Sequence, residues 1–171
     1  MGLSNAISGG IIMVALIAVL LTVPGIVGTT SVVQDASTDI SEIETKIYNT
    51  GIAVSSLSSS ADSALVTFTV SNPGSEKLWD FANFDLFITY NGTSSGLRTE
   101  QLTYSGTCSG DPSAGNWCIN SFTNDLLDPS ILNQGEAMNL RSTLSENTDT
   151  GLVAVIISTN NGVSTSKSTT N

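Results

Sequence analysis

The sequence lacks histidine altogether and has few positive charges. Its 171 residues include 5 Lys and Arg against 15 Asp and Glu, which gives a formal net charge of -10. Without imidazole there is neither Ser-His-Asp nor Cys-His catalysis, and no histidine metal site. Nucleic-acid binding needs clustered basic side chains for phosphate contacts. We therefore expect a protein without enzymatic activity, cofactor, metal or nucleic-acid partner.

The N-terminal part lacks charge of either sign, because no ionisable side chain occurs before Asp35. Residues 6–27 are apolar or small and match the ~20 residues that span a bilayer core. A cleaved signal peptide would normally show a basic start and a small-residue cleavage site, and this sequence shows neither clearly. We predict that residues 1–33 form an uncleaved helix in a membrane or a filament core, with a signal peptide as the alternative.

A different pattern follows in residues 34–50. Apolar side chains recur at spacings of three and four, which predicts an amphipathic extension of the helix to about Tyr48, ended by Gly51 as a C-cap. This stripe needs a partner, which is either the following domain or the same helix of a neighbouring subunit. The acidic residues between are expected to be a solvated face. The residues predicted to pack are Ile11, Val14, Ile17 and Leu21 in the first part, and Val33, Ile40, Ile43 and Ile47 in the second.

From residue 51 onward the pattern is that of β-strands. Alternating apolar residues and turn residues predict seven or eight short strands, at 51–57, 64–70, 84–90, 97–104, 117–122, 137–144, 152–159 and 163–167. Asn91-Gly92 and Asn161-Gly162 are predicted hairpin turns. The predicted fold is an N-terminal transmembrane and amphipathic α-helix followed by an all-β, immunoglobulin-like antiparallel sandwich of residues 51–171.

Two cysteines, Cys108 and Cys118, flank a stretch that contains Gly and Pro. A disulfide would close a loop of about 11 residues and stabilise the fold by roughly 2–3 kcal/mol. Two free thiols are the alternative. A zinc site would need further ligands.

Other polar and aromatic residues are weaker candidates. Asn91 begins an Asn-Gly-Thr sequon and is a glycosylation candidate, or is present only because a turn favours it. Three loop aspartates, Asp111, Asp125 and Asp128, match no calcium-loop spacing and are expected to be solvated. Trp79 and Phe81 are candidate partner contacts, or are packed on the edge of the sandwich.

The order of these segments resembles a known family. An uncharged helix, an amphipathic continuation and one β-sandwich is the layout of archaeal type IV pilin-like proteins. Within that group the sandwich resembles the archaellum stator proteins F and G. The resemblance lies in FTVSNPG (68–74), Lys77-Leu78, FDLFITY (84–90) and VIISTNNGV (155–163).

The resemblance implies a cell-envelope structural protein of the archaellum. It would be anchored in the archaeal cytoplasmic membrane, with a pseudo-periplasmic sandwich that binds surface-layer protein and other archaellum components. The alternative is a pilin-like or archaellin-like subunit that self-associates through its N-terminal helix into an extracellular filament. No basic leader precedes Gly2, which departs from the filament-forming members. A third class, a secreted hydrolase or carbohydrate-binding sandwich, would require a cleaved signal peptide.

Overall fold

A computed structural model describes the backbone of residues 2–171 and the side chains of residues 7–21 and 34–171. The chain divides into two compact units, Met1–Glu44 and Thr45–Asn171. Helix α1 spans Gly2–Asn49 without interruption, which corresponds to a length of about 72 Å. From residue 34 to Tyr48 every side chain is exposed. Among the described side chains, no helix is both long enough and apolar enough to cross a membrane.

Eight strands follow the helix. They are β1 (Ala53–Ser59), β2 (Leu65–Ser71), β3 (Asp85–Gly92), β4 (Gly96–Thr107), β5 (Asn116–Thr123), β6 (Ala137–Thr143), β7 (Leu152–Ser158) and β8 (Ser164–Thr170). A single 3-10 turn at Phe81–Asn83 precedes β3. Each strand overlaps one of the eight predicted segments.

The strands form two layers that share β4. The hydrogen-bonded order is β1-β2-β6-β5-β4-β3-β7-β8. The first part of β4, residues 96–102, pairs with β3, and residues 103–107 pair with β5 in the other layer. Alternate residues face inward, so that Phe68, Ile88 and Leu140 lie buried in one core. The layers are thus held together by a continuous strand as well as by apolar packing.

The prediction of a wholly antiparallel sandwich is wrong at one place. Strands β4 and β5 run parallel, with Thr103 opposite Asn116 and Thr107 opposite Ile119. Strand β4 crosses from one layer to the other. Residues 108–115 then carry the chain back, so that β5 begins beside the middle of β4. Alternation of side chains reports which face is buried and not which strand is the neighbour.

Candidate functional site

The last helical turn is fastened to the sandwich by backbone hydrogen bonds. The amides of Ser75 and Glu76 donate to the carbonyl oxygen of Asn49 at 2.9 and 3.1 Å. The Thr50 hydroxyl donates to the carbonyl of Lys46 at 2.8 Å. The final carbonyls of a helix have no partner within the helix itself. The loop after β2 therefore caps this helix and fixes its last turn.

Two glycines allow this contact. A Cβ atom at Gly74 would lie 2.2 Å from the Gly51 nitrogen and 2.4 Å from the Asn49 oxygen. Gly51 was predicted to end the helix as a C-cap; the helix does end at Asn49, and Gly51 is not among the positive-φ glycines. It is required instead because two backbones approach closely, which only glycine permits.

Asn72 organises the loop that carries Gly74. Its side chain is buried, and its amide nitrogen donates to the carbonyls of Glu76 and Leu132 at 2.7 and 2.9 Å. Its side-chain oxygen accepts a hydrogen bond from the Gly74 amide at 2.9 Å. Buried polar side chains stabilise a fold when their hydrogen bonds are satisfied. The Asn-Pro-Gly sequence thus builds the surface that receives the helix.

The turn between β7 and β8 completes this contact. Asn161-Gly162 forms the predicted turn, with Gly162 at a φ of 86°. The Asn161 side-chain amide donates to the Thr50 hydroxyl oxygen at 2.5 Å. We call the end of the sandwich that contains Asn49, Gly74 and Asn161 the junction end. Strand β3 starts there, since Asp85 pairs with Ser158 just before this turn, and it runs to the opposite, distal end.

Glu146 holds the distal turn between β3 and β4. Its carboxylate accepts hydrogen bonds from the amide of Ser95 at 3.2 Å, from the Thr93 hydroxyl at 3.3 Å and from the Ser95 hydroxyl at 2.6 Å. It also accepts one from the Ser94 amide. These hydrogen bonds, first that of the Ser95 side chain, lower the pKa of Glu146 to about 2.

The predicted position of this turn is wrong. Asn91 and Gly92 are strand residues that pair with Leu97 and Gly96, and the turn follows at residues 93–95. The carboxylate of Glu146, which is distant in sequence, accepts hydrogen bonds from the amides of Ser94 and Ser95. Gly96 has the positive φ, at 71°. Sequence reasoning missed Glu146 because nothing local marks it as the partner of this turn.

A second carboxylate, which is buried, lies beside this turn. Glu100 accepts hydrogen bonds from the Tyr90 hydroxyl at 3.0 Å and from the Ser145 amide at 3.2 Å. Arg98 lies 4.0 Å from Glu100 and 3.7 Å from Glu146. Burial, and then the hydrogen bond to Glu100, raises the pKa of Tyr90 to about 12. Tyr90 therefore stays a neutral donor at any physiological pH. The cluster closes the distal end of the core and is structural.

The substitution Glu146→Gln is expected to destabilise the sandwich at neutral pH, because an amide cannot accept all four donors. Because the folded pKa is about 2 and the ordinary value is 4.5, the carboxylate contributes stability above pH 4.5 that is lost as the pH falls towards 2. In thermal melts followed by tryptophan fluorescence, the difference in melting temperature between the parent and the variant should shrink over that pH range. The charge-matched control Glu76→Gln, at the junction end, should not show this convergence.

Cys108 and Cys118 are joined by a disulfide with a Cα–Cα distance of 5.2 Å. It ties the end of β4 to β5 across the parallel pair. The same loop is held to β6 by the Gly115 amide, which donates to the Thr143 carbonyl at 2.8 Å, and by Arg141, which lies 3.1 Å from Asp111. The disulfide closes a loop that hydrogen bonds also hold.

Removing the disulfide with the double substitution Cys108→Ser/Cys118→Ser is expected to lower the free energy of unfolding by about 2–3 kcal/mol, because the unfolded chain regains loop entropy. Denaturant titration of the full chain measures this. The parent in reductant should match the double variant, and an unchanged midpoint in both would contradict the expected role.

The two candidate aromatic contacts differ in environment. Trp79 is 66% exposed. Phe81 is buried, and its ring packs edge-on against Phe84 with centroids 5.3 Å apart. For Phe81 the structure agrees with the alternative of packing on the sandwich, because the 3-10 turn at 81–83 points its ring into the core. Trp79 alone remains a candidate partner contact.

The three loop aspartates do not form one cluster. Asp111 faces Arg141, Asp128 lies 2.5 Å from Lys77, and Asp125 accepts a hydrogen bond from the Ser130 amide at 3.3 Å. Among the described residues, no group of three or more acidic or cysteine side chains is placed to hold a metal ion.

The remaining predicted residues lie on surfaces. Asn91 projects from the outer face of β3 and its amide nitrogen lies 3.5 Å from the Thr150 carbonyl, so its glycosylation stays a prediction. The predicted helix-packing residues with described side chains are all exposed in the single chain: Ile11, Val14, Ile17, Leu21, Ile40, Ile43 and Ile47. Val33 lies outside the described side chains. Their packing against a partner stays a prediction.

Comparison with known families identifies the sandwich. Residues 48–167 match the model of the conserved flagellar protein F immunoglobulin-like domain. The chain belongs to the flagellar protein F family. The match begins at the last helical turn and ends within β8, so the family domain includes the junction end, the disulfide loop and the distal cluster. The resemblance of the sequence to archaellum stator proteins is confirmed. No curated protein matches the chain.

One solved structure shares the fold of this flagellar protein F family member. It is the "Archaellum periplasmic stator protein complex FlaF and FlaG from Sulfolobus acidocaldarius", with 18% identity, a TM-score of 0.51, and coverage of 69% of this chain and 87% of that one. A second, less similar structure is the "Archaellum periplasmic stator protein FlaG from Sulfolobus acidocaldarius", with 16% identity, a TM-score of 0.48, and coverage of 70% and 99%.

Proposed function

We propose that this protein is a structural stator component of the archaellum. In this proposal residues 1–33 anchor the chain in the cytoplasmic membrane, and the sandwich stands outside it and binds the surface layer. The observation that carries the proposal is the match of residues 48–167 to the flagellar protein F domain. The fold shared with an archaellum periplasmic stator complex supports it.

The geometry of the junction end suits a mechanical role. A stator transmits force between an anchor and a lattice, so the connection between helix and sandwich has to be stiff. Here the Asn49 carbonyl is bonded to two amides, and Gly51 meets Gly74 at backbone contact. These backbone contacts hold the last helical turn against the loop after β2.

The distal end is the surface that we assign to the surface layer. It lies at the far end of β3 from the last helical turn, at a distance of about 25 Å for eight extended residues. The turn at residues 93–95 is exposed, and Glu146 holds it in one conformation. Trp79 lies near the junction end and suits a second archaellum component beside the anchor.

Location and the mature N-terminus test this proposal. Cells that produce the protein are fractionated, and the chain is measured by mass spectrometry. We expect it in the membrane fraction with residues 1–33 retained. Recovery in sheared filaments would favour the filament subunit instead. Recovery from the medium without the helix would favour a secreted sandwich.

A further inference from the structure

Helix α1 carries a seven-residue repeat that runs through both its uncharged and its charged parts. Each seventh residue from Ile12 to Ile47 is a β-branched aliphatic residue, and these are Ile12, Val19, Ile26, Val33, Ile40 and Ile47. Three residues after each of the first four stands a small residue, namely Ala15, Thr22, Thr29 and Ala36, and Ile43 follows Ile40 at the same spacing. In heptad notation the first set occupies positions a and the second positions d.

This repeat has a geometric consequence. A straight helix has 3.6 residues per turn, so a strict seven-residue pattern drifts around it and is kept in contact only by a left-handed supercoil. Small residues at d allow the backbones of paired helices to approach closely.

The described part of the seam is exposed in the single chain. Ile12, Ile40 and Ile43 are 57–61% exposed and Ile47 is 42% exposed. In residues 34–48 these isoleucines stand among four acidic residues, so an apolar stripe lies within a polar segment. Such a stripe is stabilised when another helix covers it.

Charge decides which helix fits. Asp39 occupies position g and Glu44 position e, and in a parallel pair these two positions face each other across the seam. Two copies in parallel would therefore place Asp39 of one against Glu44 of the other. In an antiparallel pair of two copies, aligned over the whole seam, these carboxylates would lie against the uncharged half of the other copy's helix. They would be desolvated there without partners. Self-pairing is disfavoured in both directions.

We propose that this seam binds, in parallel, one α-helix of a different protein. That helix has an uncharged apolar seam along its first part, and Lys or Arg at the positions that face Asp39 and Glu44. The inference rests on the repeat, the exposure and the charges of α1, and it does not depend on surface-layer binding.

The test uses the protein itself as the probe. The full chain carrying Asp39→Lys/Glu44→Lys has the same seam with basic flanks. Donor-labelled parent is mixed with acceptor-labelled probe in detergent micelles, and pairing is measured by resonance energy transfer. The control probe, Asp35→Lys/Glu42→Lys, has the same change of net charge at two c positions away from the seam.

The parent is expected to pair with the basic-flanked probe about four- to thirty-fold more strongly than with itself, since two repulsive flanking pairs become attractive. The control probe should differ from self-pairing by no more than about two- to three-fold, since its lysines do not face the partner's flanks. Ile40→Ser/Ile43→Ser in the parent should remove the gain. Absence of pairing, equal pairing with both probes, or self-pairing as strong as pairing with the basic probe would overturn the proposal. Because no surface-layer protein is present, the result is independent of the proposed stator role.

Discussion

Gly74→Ala is expected to destabilise the sandwich by about 3–5 kcal/mol, combining overpacking with the loss of hydrogen bonds at the helix end. The added Cβ would lie 2.2 Å from the Gly51 nitrogen. The two atoms nearest to this Cβ, the Gly51 nitrogen and the Asn49 oxygen, belong to the backbone, so neither moves aside as a side chain would. The loop after β2 has to withdraw, and the amides of Ser75 and Glu76 then lose the Asn49 carbonyl.

Denaturant titration of the full chain, followed by tryptophan fluorescence, measures this effect. Both tryptophans, Trp79 and Trp117, lie in the sandwich, so the signal reports the sandwich alone. Gly110→Ala is the matched control, because a Cβ there meets nothing within 4 Å. If the two substitutions gave the same unfolding midpoint, the backbone contact at the junction end would make no measurable contribution to the free energy of unfolding.

Trp117→Ala is expected to lower the free energy of unfolding by about 3–5 kcal/mol, as for other large-to-small core substitutions. Trp117 is fully buried at the start of β5, and its ring centroid lies 4.6 Å from that of Tyr104. Strand β5 is the strand that returns beside β4, so the cavity would open where the layers share a strand.

Trp117→Phe separates packing from polarity. The indole nitrogen of Trp117 is buried and finds no hydrogen-bond acceptor among the described residues. Phenylalanine keeps most of the volume and removes an unsatisfied donor, whose burial is unfavourable by about 1–3 kcal/mol. We expect a midpoint close to that of the parent. A loss as large as that of Trp117→Ala would mean that the indole N–H is bonded in solution.

The strands were predictable because each has one buried face. In residues 65–71 and 85–92 every second side chain is apolar, and the structure buries these residues. The direction of β5 was not predictable in this way. It depends on β4 leaving one layer for the other, where the pairing with β5 is irregular between Tyr104 and Thr107. The alternation of buried and exposed side chains continues along a strand even where its partner strand changes.

The features of the site divide along similar lines. Short-range features, such as the Asn161-Gly162 turn and the Asn-Pro-Gly loop, are visible locally because turn residues have specific backbone preferences. The turn at residues 93–95 depends on Glu146, and the role of Gly51 depends on Gly74. Contacts between residues distant in sequence leave no local pattern, so neither was predictable without the fold.

Binding of the full chain to purified surface-layer sheets measures the contact on which the proposed stator role depends. The chain, kept in detergent, is mixed with sheets and sedimented, and the bound fraction is measured against sheet concentration. We expect saturable co-sedimentation that Trp79→Ser at the junction end leaves unchanged and Ser94→Arg at the distal turn weakens several-fold. A parent chain that stays in the supernatant at every sheet concentration would contradict the proposed stator role.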